Sequence, residues 1–291
     1  MVIGDLPLHA KIKMGVIYGK PIVWAKKAKD HDGYPENSTT FVMHYIEKMM
    51  GFDAMEPQNS DSGRRTSGNN RHTLSNRRQW LGKAGLPWYE PQHAADAPPI
   101  TFSQGIGGYD DFPGFLSCFT EAELAIVKLT TLIANRATVD GGGQETYQDY
   151  FFDLSAAEVG LVVSEAPEGT LLAGFSDNAS RIAYPTAEAA NNYTRDLNIN
   201  DMCPFGLRTS VSSESNRVYF VLAGGGSSTG PASYGTRGLR CACNLDSDAH
   251  VSDGPDEDGC YTLQTVIIPG TPPWITVELE TEEGEGEENA A

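Results

Sequence analysis

The stretch Leu239-Arg-Cys-Ala-Cys-Asn-Leu245 sets the fold class. Leu239, Cys241, Cys243 and Leu245 alternate with Arg240, Ala242 and Asn244, the period of two that sends successive side chains to opposite faces of a β-strand. Working outward, residues 217–222 read as a second strand, joined to the first across Gly224–Gly226 and Ser227-Ser-Thr-Gly230, which read as a loop. Residues 39–46 are β-branched and aromatic enough for a buried strand, and residues 11–28 form two short strands around the turn Tyr18-Gly-Lys-Pro21. Residues 262–268 and 275–279 are further strand candidates around a stiff turn at 269–273. Helix signals are sparse and short. Thr120-Glu-Ala-Glu123 and Ser155-Ala-Ala-Glu158 have the spacing of capping boxes, Ser75 precedes a helix that turns Trp80 and Leu81 inward, and 186–193 reads as one more helix. Residues 84–115, with Trp88, Tyr89 and Gly107-Gly108, read as an ordered but irregular loop whose aromatics need burial. Helices and strands do not alternate, so the class is α+β rather than a parallel α/β sheet.

The charge is unevenly placed. Of the formal net charge of -18, residues 241–291 supply -13, since 13 acids follow Arg240 and no Lys or Arg does. The first 240 residues carry 26 acids against 21 bases. Nucleic-acid binding rests on neutralising phosphates with Lys and Arg, so this balance argues against a DNA or RNA partner. The opening MVIGDLPLHAKIKMG has no long apolar run, which implies neither a signal peptide nor membrane insertion. Five cysteines, an odd number without a C-x-x-C pair, read as free thiols in a reducing compartment.

No catalytic constellation stands out. The histidines at 9, 31, 44, 72, 93 and 250 lie in no H-E-x-x-H or G-x-S-x-G setting, and the glycine clusters at 105–108 and 141–143 do not sit between a strand and a helix. Cys241 and Cys243 share one strand face beside two leucines and read as inert core thiols. The acids Asp246, Asp248 and Asp253 are the only metal suspects, as oxygen donors for Ca²⁺, but they lack EF-hand spacing, so the expectation is a solvated loop, no cofactor and folding without metal. The apolar residues of 261–279 are too many for a disordered tail, and they are expected to pair with a neighbouring subunit or, as the other option, with the parent domain.

Five ordered stretches carry a resemblance. They are Gly68-Asn-Asn-Arg71 with Ser75-Asn-Arg-Arg-Gln-Trp-Leu81, Gly114-Phe-Leu-Ser-Cys-Phe-Thr120, Phe152-Asp-Leu-Ser-Ala-Ala-Glu-Val-Gly160, Phe205-Gly-Leu-Arg-Thr209 and Thr236-Arg-Gly-Leu-Arg-Cys-Ala242. Together, over roughly residues 4–250, they resemble an uncharacterised domain family of Firmicutes and their phages. That family is in turn similar to the C-type-lectin-like fold of formylglycine-generating, sulfatase-modifying enzymes. The chain departs from those enzymes in its cysteines, one residue apart at Cys241 and Cys243 rather than four, and from the family in having Phe205 for a tryptophan and Cys241 for a proline.

The resemblance implies a C-type-lectin-like domain over 1–260, and the residues beyond it read as a β-rich arm over 261–279 and an acidic flexible tail over 280–291. It implies structural roles for Trp80, Glu158, Arg208 and Arg240, with Asn69, Asn70, Ser227, Ser228 and Tyr234 on ligand-display loops within 57–70 and 223–235. It further implies a non-enzymatic protein of the bacteriophage virion surface: a head decoration, head fibre or tail-associated adhesin made in the host cytoplasm. Its expected partners are other virion proteins and copies of itself, a trimer among the options, with a host-surface or mucosal glycan as ligand. The alternative is a protein-modifying enzyme of the formylglycine-generating type.

Overall fold

The turn at Tyr18 and Gly19 reverses the chain between strands Lys11–Ile17 and Lys20–Lys29, and this hairpin begins the main sheet. The computed structural model describes residues 1–94, 96, 101–102, 106–193 and 196–264. Its main sheet has eight strands. Phe151–Asp153 lies at one edge, followed by Cys241–Asp246, Ser38–Met43, Lys20–Lys29, Lys11–Ile17, Cys260–Gln264 and His250–Val251, with Val127–Lys128 also paired to Cys241–Asp246. All pairs are antiparallel except Lys11–Ile17 with Cys260–Gln264. A three-stranded sheet of Phe205–Ser210, Arg217–Val221 and Ser227–Pro231 and a hairpin of Thr130–Asn135 with Gln144–Asp149 complete the larger elements. The helices are single or double turns, such as Ser62–Ser67, Asn76–Leu81 and Ala187–Asn191. The protein is a mixed α+β structure made mostly of strands.

The alternation read from 239–245 divides two cores. Leu239, Cys241, Cys243 and Leu245 join Trp24, Phe41, Met43, Phe115, Phe119 and Phe151 on one side of the sheet. Ala242 joins Val42, Phe152, Leu154, Phe205, Leu207 and Val221 on the other. Between Lys13 and Val16 the first strand bulges, and Gly15 sits there at φ +73°. A Cβ at that position would lie 2.5 Å from the Phe119 ring, so only glycine lets this ring close the first core. The irregular loop buries its aromatics as its composition demands: Trp88 stacks on Tyr109 with centroids 5.3 Å apart, and Trp80 packs on Phe115 at 5.1 Å.

Two capping boxes turn out differently from the sequence expectation. Thr120 and Glu123 make both reciprocal bonds, but the helix stops at Leu124 and the chain enters strands Val127–Lys128 and Thr130–Asn135. A cap fixes where a helix starts, not how far it runs, and the β-branched content of 126–133 favours strand. At Ser155 and Glu158 the reciprocal bonds form at 3.1 and 2.9 Å, yet only a turn follows. Residues 227–231, expected as loop, are an edge strand paired with Arg217–Val221. The boundary drawn at 260/261 falls inside strand Cys260–Gln264, whose register pairs Lys11 with Cys260 and Lys13 with Thr262, so the first residues assigned to the arm pair within this chain. The remainder of that arm, the strand expected at 275–279, the tail 280–291 and Pro98-Pro99 lie outside the described residues.

Candidate functional site

Three buried arginines tie the second core together. Arg208, on strand Phe205–Ser210, donates to both oxygens of Glu158 at 2.7 and 2.5 Å and to the carbonyls of Asp153, Ile133 and Glu168 at 2.7, 3.0 and 2.9 Å. Burial opposes its charge most strongly, but the Glu158 carboxylate together with Tyr147 and Tyr34 holds the guanidinium well above its ordinary range. Glu158 also accepts from the Tyr34 hydroxyl at 2.7 Å. Beside it, burial pushes Glu168 up to about 7, partly countered by Arg208. Arg77 pairs with Asp153 at 3.4 Å, both fully buried, and donates to the Met50 carbonyl at 2.8 Å. A Cβ on residue 206 would come within 2.3 Å of the Arg77 guanidinium, which is why glycine precedes Leu207 and Arg208. Arg240 has no carboxylate in ion-pair range among the described residues. It donates to the Met43 and Arg181 carbonyls at 3.1 and 2.8 Å and packs over the Phe205 ring at 4.9 Å, and burial lowers it to about 10. Trp80 is buried and donates its indole N–H to the Pro113 carbonyl at 3.0 Å. These four residues hold loops to strands and face no open space.

The expected display residues divide. Asn69 and Asn70 are buried, and for them display is corrected to a structural role. The Asn70 amide donates to the carbonyls of Val211, Glu214 and Arg217, and Asn69 gives its backbone N–H to Asp53 and its side-chain amide to Glu56. Asparagine offers two donors and an acceptor in little volume, so it stitches turns as readily as it binds ligands. Ser227 is exposed, and Ser228 and Tyr234 are half-buried, but the serines lie on an edge strand rather than a loop.

An open groove of about 310 Å³ lies beside this region, where residues 61–63, 137–139 and 212–216 meet. Its rim offers Ser62, Thr138, Ser213, Glu214 and the exposed apolar Val139. The segments that line it are cross-braced. Arg64 makes a two-pronged bond to Asp140 at 3.0 and 2.5 Å and donates to the Ser215 carbonyl at 3.2 Å. The Ser215 hydroxyl donates to Asp61 at 2.6 Å, Asp61 caps helix Ser62–Ser67, and Thr138 donates its N–H and hydroxyl to the Ser212 carbonyl. The three segments are therefore one rigid polar wall. Sequence reasoning picked only the 57–70 side of it, because the other two segments come from distant turns with no motif.

Metal-ligand chemistry gathers elsewhere than expected. Asp246 and Asp248 both accept from the Asn37 amide, while Asp253 takes the N-terminal amine of Met1 at 3.2 Å, so these three do not converge. Instead, ligand atoms of Glu56, His93 and Asp96 lie within 4.8 Å of one another. The sequence carried no signal for this group: Glu56 is far from the other two in the chain, and those two sit in the irregular loop.

The model of the family described as Domain of unknown function (DUF6273) matches residues 37–247, well over half of the chain. The chain belongs to this family. No curated protein and no solved structure matches it. The DUF6273 span opens just ahead of strand Ser38–Met43 and closes just after Cys241–Asp246, two neighbours in the sheet. It contains the arginine network, the groove and the Glu56–His93–Asp96 group. The hairpin 11–29 and the strands His250–Val251 and Cys260–Gln264 lie outside the DUF6273 span, and they pair with one another to extend its sheet.

Proposed function

We propose that this chain is a non-enzymatic recognition domain of the bacteriophage virion surface, a head decoration, head fibre or tail-associated adhesin, and that it adopts a C-type-lectin-like fold. Its partners on this reading are other virion proteins and copies of itself, and its ligand is a host-surface or mucosal glycan. The braced polar groove carries the reading. Hydroxyl and carboxylate groups on a pre-organised wall, with one exposed apolar side chain at Val139, suit the alternating hydroxyl and C–H faces of a sugar, and rigidity limits the ordering cost of binding. The phage setting rests on the five-motif resemblance. The enzyme alternative needs a thiolate within reach of a substrate peptide. Cys241 and Cys243 are fully buried, and burial raises both thiols, which supports the non-enzymatic reading over that alternative.

A glycan array probed with the fluorescent protein tests the proposal. Binding to a defined glycan set, lost in Ser213→Trp, which fills the groove, and weakened about tenfold in Glu214→Gln, which removes the rim charge, is the expected result. Binding that survives Ser213→Trp, or none on the array, would overturn it.

A further inference from the structure

Three buried carboxylates converge near residue 56 without a lysine or arginine partner. Asp53, Glu56 and Asp96 are each nine-tenths or more buried, and among the described residues none forms an ion pair with Lys or Arg. Surrounding amides fix their positions. Asp53 accepts the backbone N–H groups of Asn69 and Asn76 at 2.8 and 3.0 Å. Glu56 accepts the side chains of Asn59 and Asn69 at 2.5 and 3.3 Å. Asp96 Oδ2 accepts the His93 backbone N–H at 3.0 Å and stands 2.9 Å from His93 Nδ1. Its other oxygen, Oδ1, is buried and has no hydrogen-bond partner. Asp53, Glu56 and Asp96 also line one small cavity of about 10 Å³, together with Asn76 and Gln92. That volume holds about one water-sized particle.

We propose that Glu56, His93 and Asp96 bind a divalent transition-metal cation of the Zn²⁺ or Mn²⁺ kind, which fastens His93 and Asp96 to the segment at 53–59. A buried, unpartnered carboxylate oxygen is costly unless a cation or donor meets it, and an ion bound here supplies one. The imidazole selects the metal class. Ca²⁺ and Mg²⁺ take oxygen ligands, whereas a histidine nitrogen with carboxylates suits the borderline first-row ions. The geometry is close to what such an ion requires. Ligands at roughly 2.1 Å from a tetrahedral centre stand about 3.4 Å apart, and the three donor atoms already lie within 4.8 Å. The His93 side chain is about one-third exposed (32%), which leaves a route for the ion and a coordination position for water. The site is separate from the polar groove and does not depend on glycan binding.

The test uses the full chain stripped with chelator and titrated with Zn²⁺ or Mn²⁺, with Ca²⁺ and Mg²⁺ as comparison ions. Bound metal is read by elemental analysis after dialysis, and the affinity by calorimetry. One equivalent of Zn²⁺ or Mn²⁺ is expected, with a rise in Tm of about 5–10 °C at a free-metal concentration a hundredfold over Kd. Asp96→Asn and His93→Gln should each weaken binding at least about tenfold, while Asp246→Asn, at the acidic loop, should leave it unchanged. Circular dichroism of the metal-free variants separates lost binding from lost fold, and His93, being partly exposed, is the variant least at risk of unfolding. Absence of stoichiometric metal in the wild type, binding unaffected in both Asp96→Asn and His93→Gln, or a preference for Ca²⁺ that Asp246→Asn abolishes, would each overturn the proposal.

Discussion

Replacing Arg208 by methionine removes the most heavily used side chain in the second core. The new side chain fills similar volume but leaves Glu158, which is fully buried, without its cation. It also strips donors from the carbonyls of Asp153, Ile133 and Glu168. An unpaired buried charge costs roughly 3–5 kcal/mol, and the orphaned carbonyls add about 1 kcal/mol more, so a loss of about 4–6 kcal/mol is expected. Against a typical total of about 5–15 kcal/mol, that is a large fraction of the stability. It corresponds to a fall in Tm of roughly 10–20 °C for a domain of this size. Urea titration followed by tryptophan fluorescence is a direct assay, because Trp24, Trp80 and Trp88 are all buried. The double variant Arg208→Met, Glu158→Leu removes both charges together and should recover at least about 2 kcal/mol of the loss. If Arg208→Met costs less than about 1 kcal/mol, or if the double variant is worse than the single, the ion pair does not hold this core and the reasoning fails.

Two further outcomes follow from buried groups. His72 lies between the rings of Phe52 and Tyr147, and neither of its ring nitrogens has a partner; burial first, then Arg78, Arg208 and Arg77, hold its pKa well below 6.5. The unfolded imidazole protonates near pH 6.5 and the folded one does not, so stability is lost as pH falls through 6.5, at up to about 1.4 kcal/mol per pH unit. His72→Phe should therefore gain on the wild type by about 2 kcal/mol between pH 6.5 and pH 5; denaturation midpoints that keep a constant gap over that range would refute it. Cys203, Cys241, Cys243 and Cys260 are buried and Cys118 is half-buried, with burial raising Cys118 and Cys203 to about 12. A thiol reagent should modify the native protein slowly at all five, and fast modification of both Cys241 and Cys243 would contradict the closed first core.

The strands that carry a clean local signal were legible in the sequence. The alternation of 239–245, the turn opening at Tyr18 and the Ser75 cap each depend on residues adjacent in the chain: the strand forms over Cys241–Asp246, the turn is tighter than Tyr18–Pro21 because Lys20 is already in a strand, and the cap forms at Ser75. Helix lengths after Thr120 and Ser155 were not legible, because a cap is local while the choice between helix and strand beyond it is made by packing. Glu158, Arg208, Arg240 and Trp80 are buried, and each makes a hydrogen bond to a segment far from it in the chain. Asn69 and Asn70 look alike in sequence whether they bind a ligand or a turn, and only their carbonyl and carboxylate partners, 13 to 147 residues away, distinguish the two. The groove and the Glu56–His93–Asp96 group were beyond sequence reading for the same reason: each is assembled from segments that meet only after folding.

The position of Cys241–Asp246 in the sheet has a consequence for how the protein is made. This strand sits between Phe151–Asp153 and Ser38–Met43, so the two halves of the sheet share no hydrogen bonds until it arrives. On a ribosome, more than 240 residues must be synthesised before that gap can close. Throughout that interval the apolar edge of Ser38–Met43 is open, and so is the edge of Lys11–Ile17 that later receives Cys260–Gln264. A nascent chain in this state exposes unpaired strand edges for seconds at ordinary elongation rates, long enough for chaperones or neighbouring chains to compete for them. The yield of folded protein should therefore respond to translation speed and chaperone supply well before it responds to the stability of the finished fold.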